Sequence, residues 1–273
     1  MPCATDWLDE IDLSVDARPI TMGTRSLGDR PWLVVDDHRD AELALKARLR
    51  AERHADVFAA LDGTRPAAEE VLDLVLGEVG GDRDPMLHPL DDAGTRVQED
   101  LCLLQPVDGS WRLRAASLCF PSRWRLADKL GRSITDVHGP VDGYREELAA
   151  KVDRQLDRLG ERPVLRRNWF VHPDASLFQP DRPVDGDPVI PADRALDDLV
   201  VRSERQTLRK LPRSGAVLFT IRVQQQGLAA LVAVTDRRGA LGRLLGDGEP
   251  SVLAHRGLGA TQVVELRRAL EAA

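Results

Sequence analysis

Cysteine is scarce: Cys3, Cys102 and Cys119 are the only 3 in 273 residues. An odd number so widely spaced closes no disulfide framework and fits no metal-knuckle spacing. Aromatic residues make up 4%, with a single tyrosine, Tyr144. No run approaches the roughly 18 consecutive apolar residues of a membrane span. The opening stretch MPCATDWLDEIDLSVDARPI is acidic where a signal peptide has a basic end and an apolar core. An excess of positive charge is missing too: 38 Lys+Arg stand against 45 Asp+Glu, a formal net charge of −7. That balance argues against a general binder of nucleic acid or of anionic membrane. GxGxxG, Walker, HExxH and GxSxG signatures are all absent. What is present is 42% hydrophobic and 30% charged residues, apolar material enough for a sizeable core. The expectation is an acidic globular protein of the reducing cytoplasm.

Residues 1–30 are Asp-rich and aperiodic and read as an arm over the body. Residues 38–86 read as two helices in an antiparallel pair. HRDAELALKARLRAERHADVFAAL sets Ala41, Leu45, Leu49 and Ala51 near one face. After DGTRP, the stretch AAEEVLDLVLGEV aligns Val71, Leu72, Val75, Leu76 and Val79 until Gly80-Gly81 ends it. From residue 97 the period changes to 2. VQEDLCLLQ alternates Val97, Glu99, Leu101 and Leu103 with Gln98, Asp100 and Cys102. After the Asp108-Gly109 turn, Trp111, Leu113 and Ala115 alternate with Arg112, Arg114 and Ala116, a hairpin signature. LADKLG reads as a short helix, and Leu148, Val152, Leu156 and Leu159 form another stripe closed by Gly160. RPVLRRNWFV and GAVLFTIRVQ read as strands. Between them, the stretch from Pro173 to Arg194 holds Pro173, Pro180, Pro183, Pro188 and Pro191, and must be an irregular loop over the surface or a site. The tail reads as two short apolar helices, GLAALVAV and TQVVELRRAL, around a Gly-rich stretch. The expected organisation is an arm (1–30) and one α+β domain (31–273), with helical extensions at 38–86 and 227–273.

Few residues announce chemistry. Ser117 or Cys119 beside a histidine is a conceivable nucleophile, but in an alternating strand both read more simply as core. Among six histidines, His38, His54 and His88 sit among charged or turn residues, and His255 lies in SVLAHRGLG. His172 ends a strand before Pro173. His138 stands before Gly139-Pro140, a stiff turn that can present a ring nitrogen to a flat cofactor. The plainer reading of His138 is a turn residue bonded to backbone. VRSERQTLRKLPRSG packs Arg202, Glu204, Arg205, Gln206, Arg209 and Lys210 together. A solvated, charged helix face explains most such runs. Its junction with the apolar GAVLFTIRV nevertheless turns some of these side chains inward, which favours a pocket. Gln98, Glu99 and Asp100 open an apolar strand, where a carboxylate or amide can point into a cavity. Arginines at 114, 123, 125, 166 and 167 near strand ends suit an anionic ligand.

Taken in order, VQEDLCLL, AASLCFPSRW, LADKLGRSITDVHGPVDGY, VLRRNW and VRSERQTLRKLPRSGAVLFTIR resemble the haem-dependent oxidative N-demethylases, the haem subunit of dimethylamine monooxygenase. DDHRDAELALKARL resembles the same family's first helix, so the similarity spans roughly residues 30–225. The resemblance implies a PAS-like antiparallel sheet core that binds haem b, with N- and C-terminal helical extensions. It implies an oxygenase that uses iron and O2 on an amine, releasing a methyl group as formaldehyde in known members. Electrons would come from NADPH through separate flavin and iron–sulfur proteins, since this chain carries neither signature. Carried over residue by residue, HGPV makes His138 the axial iron ligand, and ERQ puts Glu204, Arg205 and Gln206 near haem or substrate. QED does the same for Gln98 and Asp100, while Arg166 and Arg125 are assigned to the haem propionates. Glu204, Asp100 and Gln98 are then the catalytic set. Their carboxylates suit a protonated amine, because a buried ammonium needs a negative partner. The Pro-rich loop and the tail beyond residue 227 carry no match, which leaves the amine open. The alternative is a non-catalytic haem or small-ligand sensor on the same core. The short capped helices supply no coiled-coil output, which weighs against it.

Overall fold

The computed structural model describes residues 7–14, 23–137 and 147–272. In chain order it runs through a short 3-10 helix (Trp7–Glu10), β1 (Arg25–Ser26), α1 (Arg39–Val57), β2 (Phe58–Ala60), α2 (Arg65–Val79), α3 (Pro89–Arg96) and the hairpin β3 (Asp100–Val107) and β4 (Ser110–Ser117). α4 (Leu126–Lys129), α5 (Ile134–Val137), α6 (Glu147–Arg158), β5 (Val164–His172) and α7 (Ala192–Asp198) follow. The chain closes with β6 (Val200–Lys210), β7 (Val217–Gly227), α8 (Leu228–Val232), α9 (Thr235–Asp247), α10 (Pro250–His255) and α11 (Ala260–Ala272). The strands form one 7-stranded sheet in the order β1-β5-β6-β7-β3-β4-β2. Every pair is antiparallel. The fold is α+β, with helices before and after the sheet strands.

Alternation along the strands sorts side chains onto two faces. The front face carries Cys102 and Leu104 of β3, Leu208 of β6, and Ile221 and Val223 of β7, packed with Leu126 of α4 and with Val152 and Leu156 of α6. The back face carries Leu101, Leu103, Ala115, Leu165 and Leu218, covered by Ala67, Val71, Leu72 and Val75 of α2 and by Leu90 and Ala93 of α3. At the far end of the same face, Trp169, Val171 and Val201 meet Leu231, Leu241, Leu244 and Leu266 of the C-terminal helices. Leu8, Ile11 and Leu13 bury into that cluster as well. Leu72, Leu90, Leu101 and Leu103 are fully buried, and truncating any one to Ala should remove about 2–5 kcal/mol.

Several expectations change. The two early helices do not share a core. Leu49 and Val57 of α1 belong to the front cluster, while α2 buries its stripe on the back with α3. The intervening Phe58–Ala60 pairs with β4 instead of forming a helix end. The charged run is no solvated helix. It is β6, paired along its length between β5 and β7 and buried from Val201 to Leu208. β4 does not alternate cleanly: a register shift opposite Leu103/Leu104 leaves Trp111 and Leu113 on the front and turns Ala115 to the back, as a β-bulge does. The Gly-rich tail holds a helix, α9, whose Leu241, Leu244 and Leu245 keep helical spacing despite three glycines.

Candidate functional site

The front face carries a buried polar pair beside apolar side chains. On β6, Glu204 lies opposite Asn168 of β5 and Val223 of β7, and Gln206 opposite Arg166 and Ile221. Residues i and i+2 of a strand share a face, so their side chains meet. The Gln206 Nε2 donates to Glu204 Oε2 at 2.8 Å, and both residues are buried. Leu208, Ile221, Val223 and Cys102 form the apolar surroundings. Among the described residues no cation stands within ion-pair distance of Glu204. The nearby Lys129, at the end of α4, feels the carboxylate's charge. Burial nevertheless holds its ammonium down to about 8, and it lies 4.7 Å from the centre of the Trp124 ring. Lys129 stands in the LADKLG motif, but nothing in the sequence assigned it a role.

His138 lies outside the described residues. The helices that flank its segment both stand on the front cluster, α5 through Ile134 and α6 through Val152 and Leu156. Arg166, half-buried on β5, sits beside Gln206 in the strand register.

The other expected site residues are engaged elsewhere. Alternation puts Arg205 on the opposite face, where its guanidinium donates to the carbonyls of Pro31 (2.6 Å) and Trp32 (3.3 Å). The structure therefore separates Arg205 from Glu204 and Gln206. Gln98 donates to Asp36 and to Glu42, both at 2.9 Å, and accepts from the Asp36 N–H at 3.2 Å. The two oxygens of Asp100 accept from the Cys119 and Phe120 N–H groups, each at 2.8 Å, with Lys46 Nζ at 3.5 Å. Glu99 accepts from the Val34 N–H at 2.7 Å, and burial raises its pKa. The whole QED motif thus ties β3 to neighbouring chain, and none of its acids points into open space. Arg125 is a surface residue that forks onto Asp181 at 2.6 and 2.9 Å, which occupies the donors a propionate would need.

Arg202, on the same face as Glu204, is a buried clamp. It donates to Ser122 Oγ (2.9 Å) and to the carbonyls of Phe120 (2.9 Å), Ser176 (3.1 Å) and Leu177 (3.1 Å). The nucleophile reading fails on geometry. Ser117 is fully buried, bonded to Arg50 at 2.6 Å, and covered by Gly94, where a Cβ would come within 2.1 Å of its hydroxyl. Burial pushes the Cys119 thiol up to about 11, far from a reactive thiolate.

Among the described residues no group of three or more His, Cys, Asp or Glu is arranged to hold a metal ion. A haem asks for something different: flat apolar walls and one neutral axial base. The front face has apolar side chains for such walls, with the buried Glu204–Gln206 pair among them. The apolar walls and the buried pair suit such a group, while the axial base that the resemblance implies, His138, lies outside the described residues. No helix among the described residues is long and apolar enough to cross a membrane. A family model for haem-dependent oxidative N-demethylase, alpha subunit-like, matches residues 78–264. That match leaves α1 outside and runs on through the Pro-rich loop into α11, later at both ends than the motifs alone indicated.

Proposed function

Because this chain belongs to the haem-dependent oxidative N-demethylase, alpha subunit-like family, we propose that it is a monooxygenase that uses haem b and O2 to oxidise an amine at its C–N bond. Its electrons come from NADPH through separate flavin and iron–sulfur proteins. The observation that carries this reading is the buried Glu204–Gln206 pair on an apolar face whose core cluster also takes in Ile134, Val152 and Leu156 of the helices on either side of the His138 segment.

In this reading His138 would hold the haem iron through a neutral ring nitrogen, and Arg166, opposite Gln206 in the strand register, would meet a propionate. Bound haem supplies the O2 chemistry, which the protein steers and protects. Leu208, Ile221, Val223 and Cys102 exclude water from the reacting face. Excluding water strengthens every charge interaction made there. Glu204 receives the protonated amine, for which a buried carboxylate is the natural partner. Gln206 fixes the carboxylate by donating to Oε2, which leaves Oε1 to accept from the substrate's N–H. Lys129, held down to about 8, exchanges a proton near neutral pH and stands close enough to feel Glu204. Asp100 and Gln98 support the site by fixing the strand and turn around it. Arg205 holds the segment at Pro31 and Trp32 against the back of the sheet.

The test is an absorption spectrum after supply of haem, followed by turnover with a reductase. Wild type should show a Soret band, and His138→Ala should lose it. Glu204→Gln should keep the band and lose amine-dependent NADPH oxidation. An undiminished Soret band in His138→Ala removes the assigned ligand. A haem-loaded wild type that oxidises no amine with any reductase would instead be a sensor.

A further inference from the structure

Lysine is rare in this chain: Lys46, Lys129, Lys151 and Lys210 are the only ones among 38 Lys+Arg. The difference is chemical, because an ammonium can give up its proton and become a nucleophile, which a guanidinium does not.

Lys46 is fully buried and closed, its Nζ donating to the carbonyls of Val97 and Glu99 at 3.1 and 2.5 Å with Asp100 at 3.5 Å. Lys210 is half-buried. Its Nζ lies 5.4 Å from the centre of the Trp111 ring and donates to the Asp157 carbonyl at 3.5 Å. Lys129 differs from both. It ends α4 and is half-buried, with Nζ 4.7 Å from the centre of the Trp124 ring. Trp124 and Leu130 pack against the front apolar cluster, to which Leu126 and Cys102 belong. Among the described residues the Lys129 Nζ makes no hydrogen bond and no ion pair, yet solvent reaches it.

Four groups act on its charge. Burial holds the ammonium down to about 8 against Glu204, which favours it. Arg182 adds to the effect of burial, and Cys102 and Asp128 oppose it. At pH 7 about one in ten such amines is free, against roughly one in 2,500 for an ordinary lysine. A free amine on an aromatic platform, with a carboxylate in electrostatic reach, is equipped to condense with a carbonyl compound.

We propose that Lys129 captures a small aldehyde as a reversible imine. The nitrogen lone pair attacks the carbonyl carbon and forms the C–N bond, while the C=O π pair moves to oxygen. One proton passes from nitrogen to that oxygen, which gives a carbinolamine. Loss of the second nitrogen proton and of the hydroxyl, together as water, leaves C=N. Amine plus aldehyde thus gives imine plus water, with no oxidant or reductant. Glu204 is the acid–base group on hand to take each proton from nitrogen and return it to oxygen. The half-buried position of Lys129 restricts the partner to a small one. The source of the aldehyde rests on the amine-oxidation reading: breaking a C–N bond by oxidation leaves the carbon as a carbonyl. Lys129 then meets that product near the carboxylate assigned to the amine.

The full chain, without added haem, is treated briefly with formaldehyde or, separately, acetaldehyde. Cyanoborohydride is present to fix any imine as an alkylated lysine. Peptide mass spectrometry reads all lysines in one sample, so Lys210 serves as the internal reference. Lys129 should be alkylated about tenfold faster than Lys210, or more, at pH 7. That ratio should fall severalfold by pH 10, where ordinary lysines also lose their protons, and Lys46 should stay unmodified. A ratio near one at pH 7, or a ratio that does not change with pH, overturns the proposal. In a second arm, the haem-loaded chain oxidises an amine with a reductase and cyanoborohydride, and no aldehyde is added. Lys129 should then carry the alkyl group, and turnover that leaves it unmodified overturns the capture. A chain that oxidises no amine strikes the amine-oxidation reading alone, and the first arm still decides whether Lys129 takes aldehydes.

Discussion

Two places in the sheet, one on each face, bury charge in opposite ways. On the back, each buried cation closes onto an acid or a carbonyl. Arg222 reaches Asp36 at 2.6 Å and Glu42 at 2.9 Å. Arg167 reaches Glu10 at 3.2 Å and Ser203 and Gln224 at 2.9 and 3.0 Å. Arg205 is held by backbone carbonyls. On the front, where Arg202 also closes onto carbonyls, Glu204 is met among the described residues by its neighbour amide, and the half-buried Lys129 has no ion pair among them. Closed networks hold a fold in one arrangement, while open polar groups in an apolar setting await a ligand. The contrast separates residues that share one motif: Arg205 braces, and Glu204 and Gln206 lie on the opposite face, where the amine site is proposed.

The largest expected effect breaks the closed side. Arg222→Met leaves Asp36 and Glu42 facing each other without their cation. Burial already raises the Glu42 pKa, so uncompensated charge there is costly. Removing one partner of such a buried group should destabilise by about 3–5 kcal/mol, read as a large fall in thermal midpoint. A change below about 1 kcal/mol would mean that the back-face network is no more closed than the front.

Opening the other side should do the reverse. Glu204→Gln keeps the shape and removes the charge, so its effect on stability should stay within about 1 kcal/mol. Its effect on amine oxidation should reach about a hundredfold in kcat/KM. A fall in stability comparable to that of Arg222→Met would make Glu204 a brace and dissolve the distinction between the faces.

The sheet was legible wherever apolar residues alternate, as in LCLL, VLRRNWFV and VLFTIRV. β6 was not, because charged residues occupy both of its faces and the partners that make this tolerable come from distant segments. Arg205 meets residues 31 and 32, more than 170 positions earlier. The ERQ motif lies on this strand. Alternation alone separates Arg205 from its neighbours once the strand is recognised. The ties of Asp100 had no local trace, since its partners, Cys119 and Phe120, lie across a hairpin and a turn. Lys129 was invisible for a similar reason: LADKLG is an ordinary short helix, and only its placement beside Trp124 and Glu204 makes the ammonium unusual. α9 was hidden by its glycines, although the spacing of Leu241, Leu244 and Leu245 marked it.

A smaller effect with a definite sign sharpens the comparison. Burial holds the Lys129 ammonium down to about 8 from its ordinary 10.5. Between those values the unfolded chain binds a proton that the folded chain does not, so stability rises with pH across that window. Below about 8 both states are protonated, and the folded state bears the full cost of the buried charge. Lys129→Met should therefore stabilise the protein at pH 7 by about 1–2 kcal/mol, allowing for the partial exposure of the side chain. It should also remove the rise in stability between pH 8 and 10.5. Chemical unfolding of both proteins at pH 7 and pH 10 reads the two quantities together. In the same variant, the dependence of amine oxidation on pH near 8 should flatten, because the group that exchanges the proton is gone. Were Lys129→Met instead to destabilise the protein at pH 7, its ammonium would be bound to Glu204 as tightly as Arg222 is to Asp36, and the front face would be as closed as the back.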